Sequence, residues 1–197
     1  DQYATAIAGT DLSGNNMVSQ GAVKLIQDGS IQAFTAALSQ PYYKIPENRP
    51  ELAFNYNGYR RFDPLELQEQ VIDLHQKGYQ IAVHGNGDMA IEDIINSVEA
   101  AQKVYPRNDT RHIIIHCQTV REDQLDRIKR LGIIPAFFAC HTYYWGDRHE
   151  SIFLGPLRAH HMDPCRSALV RGIPFTNHND DFVTPITPLL SIWSAAN

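Results

Sequence analysis

The sequence has little cysteine, no long apolar run and no cluster of basic residues. Its three cysteines, Cys117, Cys140 and Cys165, lie far apart in the chain. This spacing fits neither a disulfide framework nor a Cys-x-x-Cys metal pair. It indicates a reducing compartment, the cytoplasm, and cysteines that lie in the core.

The absence of long apolar runs and of basic runs argues against a membrane and against nucleic acid as partners. No apolar stretch approaches the ~18 residues that span a bilayer, and the first residues lack the basic and apolar parts of a signal peptide. The formal net charge of -5 comes without basic runs, which argues against a nucleic-acid-binding surface. The sequence does not begin with methionine, so it is compatible with processing or truncation, and with export of the protein.

The rest of the sequence alternates short apolar runs with amphipathic segments. Its 197 residues suit one domain or part of a larger one. Continuous apolar strands between amphipathic helices predict an α/β fold with a parallel sheet. The predicted strands are 22–26, 79–85, 111–117, 133–140 and 173–180, and the predicted helices are 64–77, 88–106, 121–131, 165–171 and 188–197.

Two long segments interrupt this alternation. Residues 31–62 have no steady hydrophobic period, and connections of this length are usually functional or disordered. We predict an ordered loop beside a site, because the segment is rich in aromatic residues. A second polar and aromatic excursion covers 141–164. The aromatic residues of the first segment are Phe34, Tyr42, Tyr43, Phe54, Tyr56 and Tyr59.

Three predicted strands end in residues that can bind metal, namely His84, His116 and Asp180. Sites in parallel α/β folds form at the carboxyl ends of strands. Two imidazoles and a carboxylate placed there suit a hydrolytic zinc site, although a single histidine at a strand end is more often a hydrogen-bonded structural residue. Gly87 lets the backbone turn after the strand, and we expect Asp88 to cap the helix that follows.

Lys24 interrupts the apolar run at 22–26. A buried ammonium group is costly, so one interpretation is an edge strand with Lys24 facing water. The other interpretation is a lysine that faces the site, neutral or carboxylated, and bridges metal ions.

Five segments together resemble one enzyme family. They are "VKLIQDGSIQAFTAAL" from 23, "IAVHGNGDMAIEDII" from 81, "RHIIIHCQTVREDQLDRIKRLGI" from 111, "HTYYWGDRH" from 141 and "FTNHNDDFVTPITPL" from 175. In this order they resemble the amidohydrolase superfamily, and within it the branch of N-substituted formamide deformylase-like enzymes. The resemblance covers nearly the whole chain from Gly21 onward.

The resemblance implies a metal-bearing (β/α)8 barrel with its ligands at strand ends. Lys24 would be the lysine of strand four, which is often carboxylated to bridge two metal ions. His84 and His116 would be the ligands of strands five and six. Asp180 would be the aspartate of strand eight, which binds metal and moves protons.

The sequence also departs from that family. It contains no His-x-His pair, which the family carries on its first strand, and Asp180 is followed by Asp181 rather than by a small residue and a proline. Five strands cannot close an eight-stranded barrel. We therefore expect residues 1–197 to be the C-terminal portion of a partial TIM-type barrel, about strands four to eight. Its open edge predicts a homo-oligomer or a missing N-terminal portion.

Other histidines and aromatic residues are assigned from their positions. His141, Tyr144 and Trp145 follow the strand at 133–140 and are predicted to line a substrate pocket, or else to pack at its rim. His178 is predicted to orient Asp180 or the substrate. Among the remaining histidines, His112 is predicted to be structural. We predict exposed positions for His75, His149, His160 and His161.

These observations predict a metal-dependent amidohydrolase. It would cleave a non-peptide amide or a related C–N bond in a small molecule. One or two divalent metal ions, expected to be zinc, would activate the attacking water. A non-catalytic α/β binding module, which keeps the scaffold without the complete metal site, is the alternative.

Overall fold

Five strands form one parallel sheet in this computed structural model, which describes residues 21–45, 49, 52 and 55–197. The strands are β1 (Val23–Ile26), β2 (Ile81–Gly85), β3 (Ile113–His116), β4 (Ile134–Phe137) and β5 (Thr176–Asn177). Their order in the sheet follows their order in the chain, and every neighbouring pair is parallel. The predicted α/β fold with a parallel sheet is confirmed.

Helices connect the strands from β1 onward. They are α1 (Pro64–Gln76), α2 (Asp88–Val104), α3 (Glu122–Leu131), α4 (Cys140–Arg148), a π-helical turn (His149–Phe153), α5 (Pro156–Ala159), α6 (Cys165–Val170) and α7 (Pro188–Ala196). None of the helices in the described part of the chain is long and apolar enough to cross a membrane.

The helix ends follow from local chemistry. The Asp63 side chain accepts a hydrogen bond from the backbone N–H of Leu65, and Pro64 occupies the first turn of α1. Helix α3 ends at Gly132, whose φ of 65° lies in the left-handed region that glycine adopts without strain.

The two faces of the sheet have different surroundings. Val23, Leu25, Ile81, Val83 and Ile114 lie in the main core under the helices. The strand register pairs Lys24 with Ala82 and Ile26 with His84, which places these residues on the opposite face. The site described below is built on that second face.

The loop at 31–62 forms a second core. Ile31, Phe34, Leu38 and Tyr42 are buried and pack with Phe153 from the π-helical turn. This packing fixes the start of the loop near the carboxyl ends of the strands. The other aromatic residues of the loop have different positions: Tyr56 packs at the edge of this cluster, Tyr43 and Tyr59 are exposed, and Phe54 lies outside the described residues.

One predicted strand is much shorter than expected, and one segment without a prediction is helical. The strand predicted at 173–180 is reduced to Thr176–Asn177, because the chain then enters a turn in which Asp180 has a φ of 50°. The excursion at 141–164 is largely helical. Its helices bury histidines as well as apolar residues, so the apolar period that marks a helix in a sequence is missing.

Several residue predictions also change. Asp88 is the first residue of α2 rather than its cap, and its carboxylate accepts hydrogen bonds from the backbone of Ser39 and from Arg121. His75 and His149 are fully buried instead of exposed, because each bonds through both ring nitrogens. The predictions of buried cysteines, and of exposed positions for His160 and His161, are confirmed.

Candidate active site

A cavity of about 310 Å³ opens at the carboxyl ends of the strands. Because all five strands are parallel, residues that follow different strands meet at this one edge. Among the predicted site residues, those that border the cavity are His84, His116, His141, Trp145 and Asp180. The other lining residues are Ser30, Gln32, Asn86, Phe138, Arg148, Phe153 and Val183.

His84 is held at the end of β2 by its neighbours. Its Nε2 lies 3.1 Å from the carbonyl oxygen of Gly29 and 3.1 Å from Nδ2 of Asn86. Burial is the main cause that lowers the pKa of His84, and the charge of Lys24 acts in the same direction. The imidazole is therefore neutral near pH 7, which is the form that binds metal ions.

His116 reaches the cavity through an unusual backbone. The register aligns it with Gly85 and Phe137, and both of these face the helices. Regular alternation would send the His116 side chain to the same side. Instead His116 has a φ of 70°, and its ring centroid lies 4.5 Å from that of His84.

One nitrogen of the His116 ring lacks a hydrogen bond in the described part of the chain. Nδ1 is buried and has no hydrogen-bond partner among the described residues. Burial, followed by the nearby rings of His84, His178 and His141, lowers the pKa of His116 far below its usual value. His116 thus offers a neutral imidazole with a free buried nitrogen, a combination that suits a metal ligand.

The segment after β5 brings His178 and Asp180 to the same place. The His178 ring centroid lies 5.0 Å from that of His116, and its Nε2 is also buried without a partner in the described part of the chain. Asp180 is exposed at the cavity, and its charge raises the pKa values of His84, His141 and His178 against the larger lowering effect of burial.

Lys24 lies on the site-facing side of β1, at the edge of the sheet. It is exposed and does not border the cavity. Its positive charge nevertheless lowers the pKa values of three site histidines, His84, His116 and His178. Lys24 thus faces water at the sheet edge, on the face where the site lies.

Helix α4 supplies the aromatic wall of the cavity. The His141 ring centroid lies 4.2 Å from that of Phe138 and 5.9 Å from that of Trp145. Burial lowers the pKa of His141 to about 3. Tyr144 is exposed, its ring is tilted against that of Trp145 with the centroids 5.6 Å apart, and it does not line the cavity.

Sequence reasoning missed Asp28, which follows β1. Its buried carboxylate accepts hydrogen bonds from the backbone N–H groups of Asn86, Gly87 and Ala37, and Oδ1 lies 3.6 Å from Nε2 of His84. Burial raises the pKa of Asp28 to about 7 even though these hydrogen bonds lower it. An acidic residue directly after a predicted strand was the available signal.

A second missed group surrounds His149. Its Nδ1 bonds to the Trp145 carbonyl oxygen at 2.8 Å, which makes Nε2 an acceptor for the amides of Gln118 and Gln32, at 3.0 and 3.3 Å. Gln32 borders the cavity. This group connects the loop at 31–62 to the π-helical turn, and no short sequence motif marks it.

The donor set fits a divalent metal ion by its chemistry. The neutral imidazoles of His84, His116 and His141 border one cavity together with the Asp180 carboxylate, and the buried Nδ1 of His116 has no partner among the described residues. Imidazole and carboxylate are the usual ligands of hydrolytic zinc. In the described ranges, however, no group of three or more His, Cys, Asp or Glu side chains is arranged to hold a metal ion.

Comparisons with known proteins agree with this fold. Residues 3–197 match the profile of the amidohydrolase family. The chain is 30% identical over 179 residues to YtcJ from Bacillus subtilis (strain 168), whose name places it among the amidohydrolases. It is 27% identical over 178 residues to the protein LONG AFTER FAR-RED 3 from Arabidopsis thaliana.

The structure is similar to solved barrels. A metal-dependent hydrolase from Pyrococcus furiosus superposes with a TM-score of 0.72 at 26% identity, over 88% of this chain and 33% of that one. The two curated relatives are likewise matched over 89% of this chain but only 31% and 29% of their own length. The chain thus spans about a third of these proteins, and the prediction of a partial TIM-type barrel is confirmed.

Proposed function

Because the chain belongs to the amidohydrolase family, we propose that it supplies the C-terminal part of a metal-dependent hydrolase. The proposed reaction is cleavage of a non-peptide amide, or a related C–N bond, in a small molecule. One observation carries the proposal: His84, His116 and Asp180 follow three different strands and border the same cavity. The N-substituted formamide deformylase-like branch is our more specific proposal, on the segments quoted above.

The proposed ligands are His84, His116 and Asp180, with zinc as the metal, in one or two ions. Imidazole and carboxylate suit zinc, and the buried nitrogen of His116 lacks another partner in the described chain. Lys24 is proposed to be carboxylated in the assembled protein, because an anionic carbamate would supply oxygen ligands for divalent metal ions. Replacing Lys24 with alanine in the intact protein should then remove most bound metal and activity.

The chemistry is divided among the residues of the cavity. A divalent metal ion, when bound, supplies a Lewis acid that polarises the amide carbonyl and acidifies water. The Asp180 carboxylate takes the proton of the attacking water and passes it to the leaving nitrogen. Phe138 and Trp145 present ring surfaces that bind the apolar part of the substrate and exclude water.

The test is the metal content and amide hydrolysis of the full-length protein that contains this chain. We expect near-stoichiometric zinc in the wild type and strong loss of metal and turnover in His84→Asn, His116→Asn and Asp180→Asn. His161→Asn is the matched control, because His161 is exposed and away from the cavity. Unchanged metal content in all three variants would contradict the proposal.

A non-catalytic binding module is the second candidate. For residues 1–197 taken alone, it is favoured by the absence, from the described ranges, of a group of three side chains placed to hold metal, and by the lack of a His-x-His pair in these residues. For a module we expect no metal and no amide hydrolysis in the full-length protein, so the same measurements separate the two candidates.

A further inference from the structure

A buried carboxylate lies behind the cavity and contacts one of its histidines. Asp163 precedes α6, and its side chain is only 1% exposed. Its Oδ2 lies 3.5 Å from Nδ1 of His141, whose side chain is 6% exposed. His141 borders the cavity, while Asp163 does not.

The facing polar atoms of this pair lack a close hydrogen-bond partner in the described ranges. Both Asp163 oxygens and His141 Nδ1 are buried without one within the part of the chain that the structure describes. Burial raises the pKa of Asp163 well above its usual value, and the neighbouring backbone N–H of Phe138 lowers it. A hydrogen bond donated by Nδ1–H of His141 would lower this pKa further and favour the ionised carboxylate. Unpaired buried polar groups are rare and costly, so two such groups side by side are expected to pair with each other.

We propose that Asp163 is a positioning residue, which keeps the proton of His141 on Nδ1 and thereby presents Nε2 to the substrate. A carboxylate behind a histidine commonly fixes its tautomer and ring orientation in this way. With the proton on Nδ1, Nε2 is an acceptor and fits an N–H group of the bound amide. The identity of the substrate in this inference rests on the proposed hydrolase function, whereas the tautomer of His141 is independent of it.

The ring position supports this arrangement. The His141 ring is held between Phe138 and the π-helical turn, with its centroid 6.0 Å from that of His149. Asp163 is anchored through its backbone, since its N–H donates to the carbonyl oxygen of Gln118 at 2.8 Å. Both partners are therefore fixed before a substrate enters.

The first experiment reads the tautomer directly. Long-range 1H–15N NMR spectra of the full-length protein, with the His141 signals assigned through His141→Gln, should show the proton on Nδ1. In Asp163→Asn we expect this preference to be lost, whereas Asp93→Asn, a buried carboxyl that pairs with Arg60, should leave it unchanged. A wild-type His141 protonated on Nε2 would overturn the proposal, even if Asp163→Asn failed to fold.

The second experiment is a double-mutant cycle on amide hydrolysis. Asp163→Asn should lower kcat by about 10- to 100-fold, the usual cost of losing such a partner, with a smaller change in KM. In the His141→Gln background the same substitution should have little further effect, because coupled residues are not additive. Fully multiplicative effects would refute a role through His141. If the protein hydrolyses no amide, only the proposed function fails, and the tautomer measurement still decides the role of Asp163.

Discussion

The ring centroids of His84 and His116 lie 4.5 Å apart, although the strand register assigns the two residues to opposite faces of the sheet. His84 follows the regular alternation of β2. His116 leaves the alternation of β3 through a left-handed backbone, as does Cys117 after it. Such conformations in residues other than glycine are uncommon and concentrate at functional sites. The backbone at the end of β3 thus creates the pair of imidazoles.

Asp28 is predicted to stabilise the backbone that follows β2 and the start of the loop at 31–62. Asp28→Ala removes the acceptor for three backbone N–H groups and leaves them buried. We expect a loss of about 3 kcal/mol or more in the free energy of unfolding, measured by urea denaturation. Asp73→Ala removes an exposed partner of Lys77 and should cost less than about 0.5 kcal/mol. Equal effects of the two substitutions would show that the Asp28 hydrogen bonds add no stability.

Gly87 is predicted to tolerate no side chain. A Cβ at this position would lie 2.0 Å from the carbonyl oxygen of Ala37, so Gly87→Ala must displace the loop at 31–62. We expect a loss of about 2 kcal/mol or more in thermal unfolding, typical of overpacking. Gly146→Ala is the control, since its Cβ meets nothing within 4 Å inside α4, and it should stabilise the protein by about 0.5–1 kcal/mol. Equal stabilities of the two variants would refute this prediction.

The buried pair His75 and His112 predicts sensitivity to acid. Nδ1 of His112 accepts from the N–H of Ile81, and its Nε2 lies 2.9 Å from Nδ1 of His75, so both rings are neutral in the fold. Burial lowers the pKa of His112 to about 4. The unfolded chain then binds more protons between pH 6.5 and about 4, so stability is full above pH 6.5 and falls by up to about 3 kcal/mol as the pH drops to 4.

This acid effect is measured as the free energy of unfolding against pH. The slope between pH 6.5 and 4 should become shallower in His112→Gln and stay unchanged in His160→Gln, because His160 is exposed. A His112 ring that titrates near 6.5 in NMR spectra of the folded protein would contradict the prediction.

The open edge of the sheet predicts association of the isolated chain. In the described sheet, β1 and β5 each pair with one neighbour, and unpaired strand edges recruit other chains. Light scattering of residues 1–197 should therefore show a homo-oligomer, or a complex once the rest of the protein is added. A stable, well-behaved monomer would count against this expectation.

The order of the strands, and of the helices outside residues 140–164, follows from the sequence pattern alone. Apolar runs such as "QIAV" and the cap formed by Asp63 and Pro64 act locally, within a few residues, so their pattern can be read directly. It also indicated His84, His116 and Asp180, because the carboxyl end of a parallel strand is a position that the pattern defines. His141 and Trp145 were placed at the cavity on the same reasoning.

The burial of the polar residues and their contacts depend instead on how distant segments pack. Asp28 and Asp163 lie beside histidines far away in the chain, and His75, His149 and Gln118 are buried in networks that no short motif marks. Hydrogen bonds between distant segments depend on how those segments pack, and packing is a property of the whole fold. The left-handed turn at His116 has the same origin, because contacts around the cavity stabilise a backbone that its own residue type disfavours.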